Sequence, residues 1–367
     1  MRIVLVQAGL GAGGAEKVVN LLAHHRARLG DEVHVLSLTG RTGGSYFAYD
    51  ASVQVRSMVP EGQSGSSMQR LVKSVRWLRR ELLGLQPAVV VSFLTKVNVM
   101  AVLAGLGSGI PIIISERNNP TRQDAHPLWL PLSSLAASLS ARLVMQTEGA
   151  RNTLPHRLRA KSRVIGNPSH LPLGARTRAA AGKRIVAVGR LEVQKGFDLL
   201  LNGFATIAAR HPAATLTVFG EGAERGNLES RVASLGISSK VRFAGVTASP
   251  GTWIGEADVF VLSSRYEGFP NVLLEALGAG LPVVAFDCPW GPASMVTNEA
   301  TGLLVPAEDT DALAAALDRV LSDTELRRKL ARAAPAAAQP FSPENIMQAW
   351  DDLIVEVARS SEVGKRA

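Results

Sequence analysis

Short apolar runs alternate with stretches of helical spacing along almost the whole chain. RIVLVQA (2–8) is a continuous apolar run, the pattern of a strand buried on both faces. Residues 15–29 then repeat their apolar positions at helical intervals and stop at Gly30. VHVLSLT (33–39), AVVVSFL (88–94), IPIIISE (110–116), RLVMQT (142–147) and KSRVIGNP (161–168) continue the strand series. After a break come RIVAVGRL (184–191), ATLTVFG (214–220), VRFAG (241–245), DVFVLSS (258–264), PVVAFD (282–287) and GLLVP (302–306). Helices are predicted between them and at 309–321, 325–334 and 343–359. Continuous apolar strands separated by helices imply parallel sheets covered on both faces. Two such series predict an α/β protein of two doubly wound domains with a cleft between them.

The break itself, over 168–183, has two prolines, two glycines and no periodicity. This gives domains at 1–168 and 184–340, a linker at 169–183, and a terminal segment at 341–367. Gly62, Ser64, Gly65 and their neighbours over 62–67 predict a mobile loop. No run of 18 or more apolar residues occurs, and the glycine cluster cuts short the apolar N-terminus. Cys288 is the single cysteine, which excludes a disulfide framework or a multi-cysteine metal site. The expected location is therefore the cytoplasm.

Charge adds an asymmetry. Of the net charge of +9, residues 1–170 hold +11 and the rest −2. The first half is thus expected to meet an anionic partner. Residues 70–83, RLVKSVRWLRRELL, fit a basic amphipathic helix with Leu71, Val75, Leu78 and Leu82 on one face. It reads either as a peripheral membrane helix or as an ordinary domain helix with a solvated basic face. No recognition motif for nucleic acid accompanies the charge.

Three constellations can carry chemistry. Gly9-Leu10-Gly11-Ala12-Gly13-Gly14 joins a strand to a helix start, a place that suits phosphate. It fits G-x-G-x-x-G, but the acidic residue expected after the second strand is absent, and Arg41 stands there. Gly189-Arg190-Leu191 with Lys195-Gly196 places two cations near a second helix start, suited to a leaving diphosphate. Glu267-Gly268-Phe269-Pro270-Asn271 leads into a helix carrying Glu275, so two carboxylates flank a helix start. These can accept hydrogen bonds from sugar and ribose hydroxyls. Asp309-Thr310-Asp311 matches a metal-binding D-x-D, but it opens an Ala/Leu helix and reads as a cap.

GR-x4-KG, FGEG (219–222), VRFAG and EGFPNVLLEA-x-GAG-x-PVV together resemble retaining glycosyltransferase family 4, and GGAE (13–16) resembles its acceptor-side loop. The resemblance implies the GT-B fold: two facing Rossmann-like domains with a C-terminal helix crossing back to the first. It implies that Arg190 and Lys195 bind the donor diphosphate beside Gly189, and that Glu267 holds the donor sugar. Phe269, Pro270 and Asn271 would present backbone to sugar and phosphate. Glu275 would take the ribose hydroxyls, while Glu221 and Phe243 would border the base.

Gly13, Gly14 and Glu16, with Arg117, Asn118 and His126, would form the acceptor and phosphate side. SERNNP (115–120) resembles members that extend polyprenyl-diphosphate-linked glycans. Many members have a histidine near here on the donor sugar; this chain departs from that, with His126 further on. The segment 287–292 (DCPWGP) also resembles that subgroup, with no role assigned. The implied reaction is transfer of a hexose or N-acetylhexosamine from a nucleotide sugar, UDP-linked or GDP-linked, to an undecaprenyl-diphosphate glycan at the inner membrane face. No cofactor or metal is implied. The alternatives are an NADP-dependent oxidoreductase, a non-hydrolysing sugar-nucleotide epimerase, and a non-catalytic carbohydrate-binding protein.

Overall fold

A computed structural model describes residues 1–40, 44–58, 67–117, 129–169, 183–247 and 251–366. It divides into two compact units. Unit 1 is Met1–Asn167 with Glu344–Ala367, and unit 2 is Pro168–Pro343. Most of the expected linker, residues 170–182, lies outside the described residues.

Unit 1 runs β1 (Arg2–Gln7), α1 (Gly14–Arg28), β2 (Glu32–Ser37), β3 (Val53–Ser57), α2 (Ser67–Leu85), β4 (Val89–Phe93) and α3 (Thr95–Gly105). It continues β5 (Ile112–Ser115), α4 (Trp129–Leu139), β6 (Arg142–Met145), α5 (Glu148–Asn152), α6 (His156–Ala160) and β7 (Ser162–Val164). The strands pair in parallel in the order β3-β2-β1-β4-β5-β6-β7. Strands β1, β4 and β5 are buried almost throughout, as their unbroken apolar runs require.

Unit 2 runs β8 (Arg184–Val188), α7 (Phe197–Ala208), β9 (Thr215–Phe219), α8 (Arg225–Ser234), β10 (Val241–Gly245) and β11 (Val259–Leu262). It continues α9 (Asn271–Gly278), β12 (Val283–Asp287), β13 (Leu303–Pro306), α10 (Thr310–Ser322) and α11 (Thr324–Ala338). Its parallel order is β10-β9-β8-β11-β12-β13. Two apolar layers cover the sheet, one around Leu200, Phe204 and Leu317, the other around Trp253, Phe260 and Leu274. Both units are Rossmann-like, and in both the strand order reverses beside the first strand.

The last helix, α12 (Pro343–Arg366), belongs to unit 1. Its Trp350 is fully buried, with its ring 5.6 Å from that of Phe93 at the end of β4. Its Asp351 takes hydrogen bonds from Arg26 Nη1 at 2.7 Å and pairs with His25 Nε2 at 2.6 Å. Arg26 is buried and also donates through Nε to Asp31 at 2.7 Å, so its charge is met on two sides. Glu356 accepts from Arg142 Nε at 3.0 Å, a second tie between α12 and the sheet.

Several expectations need correction. β3 is absent from the sequence reading because VQVRS is an edge strand with only Val53 buried, so no apolar run marks it. Ser67 opens α2 rather than closing a loop; residues 62–66 lie outside the described residues. The helix expected to stop at 334 continues through Pro335 to Ala338. A proline removes one helical hydrogen bond. Here Ala334 and Ala338 are both fully buried, and core packing outweighs that loss. The D-x-D segment is a cap, as its sequence reads: the Asp309 carboxylate accepts from the N–H of Ala312 at 2.9 Å. Among the described residues, no helix is long and apolar enough to cross a membrane.

Candidate active site

In unit 2 the strand order reverses between β8 and β11, which are parallel neighbours. Loops leaving the carboxyl ends of such a strand pair are where open α/β sheets bind ligands. The β8 loop carries Gly189, Arg190 and Lys195; the β11 loop carries Ser263, Ser264 and Glu267. The strand order therefore brings together two motifs that lie 72 positions apart.

Lys195 closes a short 3-10 turn, Val193–Lys195, and its aliphatic chain lies over Gly189, where an added Cβ would stand 3.3 Å from it. Gly196 follows with φ +61°, and a Cβ there would collide with the backbone oxygen of Ser263. Only glycine allows that approach. Ser263 Oγ donates to the Lys195 carbonyl at 3.0 Å, so the two loops are locked backbone to side chain.

Across this lock, Lys195 Nζ donates to Glu267 Oε1 at 2.7 Å. Ser264 Oγ donates to the same oxygen at 2.6 Å. Glu267 is 4% exposed and Lys195 is mostly covered. Two donors on Oε1 fix the orientation of the carboxylate, whose second oxygen can accept a further hydrogen bond. The segment 287–292 forms its back wall. A Cβ on Gly291 would come within 3.0 Å of Glu267 Cβ, and the Glu267 N–H faces the Pro289 carbonyl at 3.5 Å. Beside it, the buried Cys288 thiol is pushed up to about 12, first by desolvation and then by the charge of Glu267. It stays protonated at neutral pH. Trp290 in this wall has φ +72°, an unfavourable conformation for a bulky residue that marks local strain.

Phe269 packs its side chain into the core against Phe341, so only its backbone faces outward chemistry. Pro270 caps α9 and accepts from Leu274 N–H at 3.2 Å, and Asn271 is the first helical residue. The positive end of α9 thus lies a few residues after Glu267. Glu275 is buried one turn into α9 and is not without a partner.

Arg190 is placed differently. It is exposed and pairs with Glu192 of its own loop at 2.6 Å, rather than with Glu267. An exposed pair of this kind is weak and easily exchanged for a phosphate. Glu221 is likewise exposed and paired with Arg225, whose guanidinium lies 5.7 Å over the Phe243 ring. Gly220 before it has φ +142° and sits where any Cβ would collide with the Gly189 carbonyl. The FGEG turn and the β8 loop are therefore packed together.

In unit 1 the Gly9–Gly14 loop follows β1 at that sheet's switch point. Gly13 caps α1, and the Glu16 carboxylate folds back over it, where a Cβ would collide. The helix start thus already holds a negative charge of its own, which opposes a diphosphate there. Arg41 lies outside the described residues, as do Asn118 and His126.

Arg117 is buried, with its guanidinium 5.1 Å from the Phe93 ring and 5.6 Å from Trp350. Nη1 donates to Asn167 at 2.7 Å, while Nε and Nη2 have no hydrogen-bond partner among the described residues. Desolvation pushes the group down to about 9, so it remains a cation at neutral pH. Its visible work is to join the end of β4 to α12.

Ser264 is what the sequence reading missed as part of the site; segment 287–292 was singled out there without a role, and it is the wall behind Glu267. Ser264 stands three residues before Glu267, and that short spacing was the available signal. Ser264→Ala removes a charge-assisted hydrogen bond, so donor turnover should fall about tenfold. Ser264→Thr should restore part of it. An unchanged rate in the alanine variant, with the fold intact by thermal unfolding, would detach Ser264 from the site.

Residues 13–169 match the glycosyl transferase 4-like domain, and residues 176–337 match the glycosyl transferases group 1 family. The chain belongs to these two-domain GT-B glycosyltransferases. It is 28% identical to the exopolysaccharide phosphotransferase SCO2592 of Streptomyces coelicolor over 96% of its own length, but spans only 40% of that protein. With a Campylobacter jejuni enzyme, an α-1,4-N-acetyl-D-galactosaminyltransferase named for a diNAcBac-PP-undecaprenol-linked acceptor, it shares 27% identity over 97% of this chain and 99% of the other. Its fold matches Anabaena HepE in complex with UDP, with TM-score 0.80 and 18% identity over 97% of this chain and 100% of the other.

Proposed function

We propose that the protein is a retaining hexosyltransferase that moves a hexose or N-acetylhexosamine from a nucleotide sugar to a polyprenyl-diphosphate-linked glycan. The observation that carries this reading is the Lys195–Glu267–Ser264 cluster at the switch point of unit 2. Lys195, with Arg190 released from Glu192, would neutralise the leaving diphosphate, aided by the positive end of α9. Glu267 Oε2 would hold a sugar hydroxyl.

With Oε1 held by two donors, Glu267 is set to orient the sugar rather than attack its anomeric carbon. The acceptor oxygen then bonds on the face the diphosphate leaves, and the departing phosphate oxygen takes the acceptor proton. This front-face course retains configuration. Side chains and helix dipole supply the positive charge, so the reading calls on no metal ion. Glu275 would take the ribose diol, and the 241–245 segment would border the base.

A UDP-linked donor is favoured by the fold shared with a UDP complex, and a lipid-linked acceptor by the Campylobacter relative. The acceptor glycan would be met at the inner membrane face, within surface polysaccharide synthesis.

Thermal unfolding with UDP, GDP and NADP side by side tests this. A ligand at about 100 times its Kd adds roughly 2.7 kcal/mol. Stabilisation by UDP alone is expected. A shift with GDP alone would keep the transferase and change the base, and a shift with NADP alone would overturn the reading in favour of the Gly9–Gly14 loop.

A further inference from the structure

Arg265 stands two residues before Glu267, and its side chain reaches the β8 loop. Nη1 donates to the Val193 carbonyl at 2.8 Å and to Asp198 Oδ1 at 2.8 Å, and Nη2 donates to Asp198 Oδ2 at 2.8 Å. Val193 opens the 3-10 turn that Lys195 closes, and Asp198 lies in the first turn of α7. The guanidinium therefore grips the chain on both sides of Lys195.

The neighbouring residues reinforce this grip. The Arg265 N–H donates to the Gln194 carbonyl at 2.8 Å, and the Gln194 amide donates to the Tyr266 carbonyl at 3.0 Å. With the bonds of Lys195 to Ser263 and Glu267, each of Val193, Gln194 and Lys195 is bonded to the 263–267 segment.

A third loop joins at the same guanidinium. Arg265 Nε donates to Glu308 Oε2 at 3.2 Å, in the turn between β13 and α10. Glu308 has φ +61°, a backbone region that glutamate seldom adopts. Such strain persists where the surroundings hold a residue in place, and it gathers at functional sites. The fork holds the Asp198 carboxyl below the usual carboxylate range, and Asp198 raises Arg265 in return, so both charges persist at neutral pH.

We propose that Arg265 is a positioning residue that sets Lys195 against Glu267, acting through the Val193–Lys195 turn rather than on the donor. A simple surface ion pair would account for the contact with Asp198, but not for the bond to a carbonyl inside the Lys195 turn. Lysine could not replace it, because only the planar fork meets the carbonyl and both carboxylates together. The value of this setting to catalysis rests on the transferase reading above.

Arg265→Lys tests it, since the charge is kept and the fork is lost. With a UDP-sugar donor, kcat should fall about thirtyfold while donor KM stays within about threefold, because a misplaced lysine costs most where charge develops. The unfolding temperature should drop by no more than about 4 °C. In a Lys195→Met background the same change should cost less than about threefold, because its route to the reaction is already gone. Equal fold-losses in the two backgrounds would make Arg265 a general support of the fold, and wild-type kcat in Arg265→Lys would release it from the site. Either result overturns the proposal.

Hydrogen exchange of the whole chain without ligand gives a reading that needs no turnover. The amides of Lys195, Gly196 and Arg265 are bonded within these loops, and in Arg265→Lys they should exchange about tenfold faster while the core strands stay unchanged. Unaltered exchange at these amides also overturns the proposal. Loosened loops in a protein whose wild type releases no diphosphate from any nucleotide sugar would leave the positioning in place and sink the transferase reading alone.

Discussion

Lys195→Met is expected to lower release of nucleoside diphosphate from the donor by about 10²–10³-fold. The lysine is the covered cation beside Glu267, fixed by its hydrogen bond and by the Gly196 turn, so its charge needs no rearrangement as the diphosphate leaves. The loss should fall mainly on kcat, because charge accumulates on the diphosphate in the transition state. The same variant leaves a buried carboxylate with Ser264 as its remaining side-chain donor, and stability should fall by roughly 3 kcal/mol. Adding Glu267→Gln removes the stranded charge. The double variant should recover stability in urea unfolding yet stay inactive. Wild-type turnover in Lys195→Met would remove the lysine from the chemistry; recovery of turnover in the double variant would remove Glu267.

Trp350→Ala should be the most destabilising single change in unit 1, costing about 3–5 kcal/mol. The indole is fully buried in a cluster with Phe93 and the Arg117 guanidinium, and it anchors α12 on the end of β4. Its removal opens a void and strips one of two aromatic rings from a buried cation whose Nε and Nη2 lack partners among the described residues. Chemical denaturation should show the loss. Nucleotide affinity measured well below the transition should stay within about twofold, since every donor residue proposed here lies in unit 2. An unchanged midpoint would mean that α12 is held by its ion pairs at Asp351 and Glu356 instead.

The strands that were legible in the sequence are those buried on both faces. Their apolar runs are unbroken because all but a terminal position meet core, as in β1, β4 and β12. The Asp309 cap was legible because its partner is three residues away. Edge strand β3 was not, since only one of its residues is buried. Glu267 and Lys195 were each visible as chemistry in a loop, but nothing local joins them. Their contact depends on β8 and β11 being neighbours, a fact of strand order.

Helices α2 and α4 show the same division. Periodicity located α2 and its basic positions. It could not say that Leu78 and Leu82 are fully buried while Leu130, Leu135 and Leu139 of α4 meet solvent. The alternation of apolar runs, glycine turns and caps therefore determined which elements form, because those choices are settled within a few residues or by uniform burial. Strand order and helix packing decided which side chains meet and which remain exposed, because those depend on partners distant in the chain.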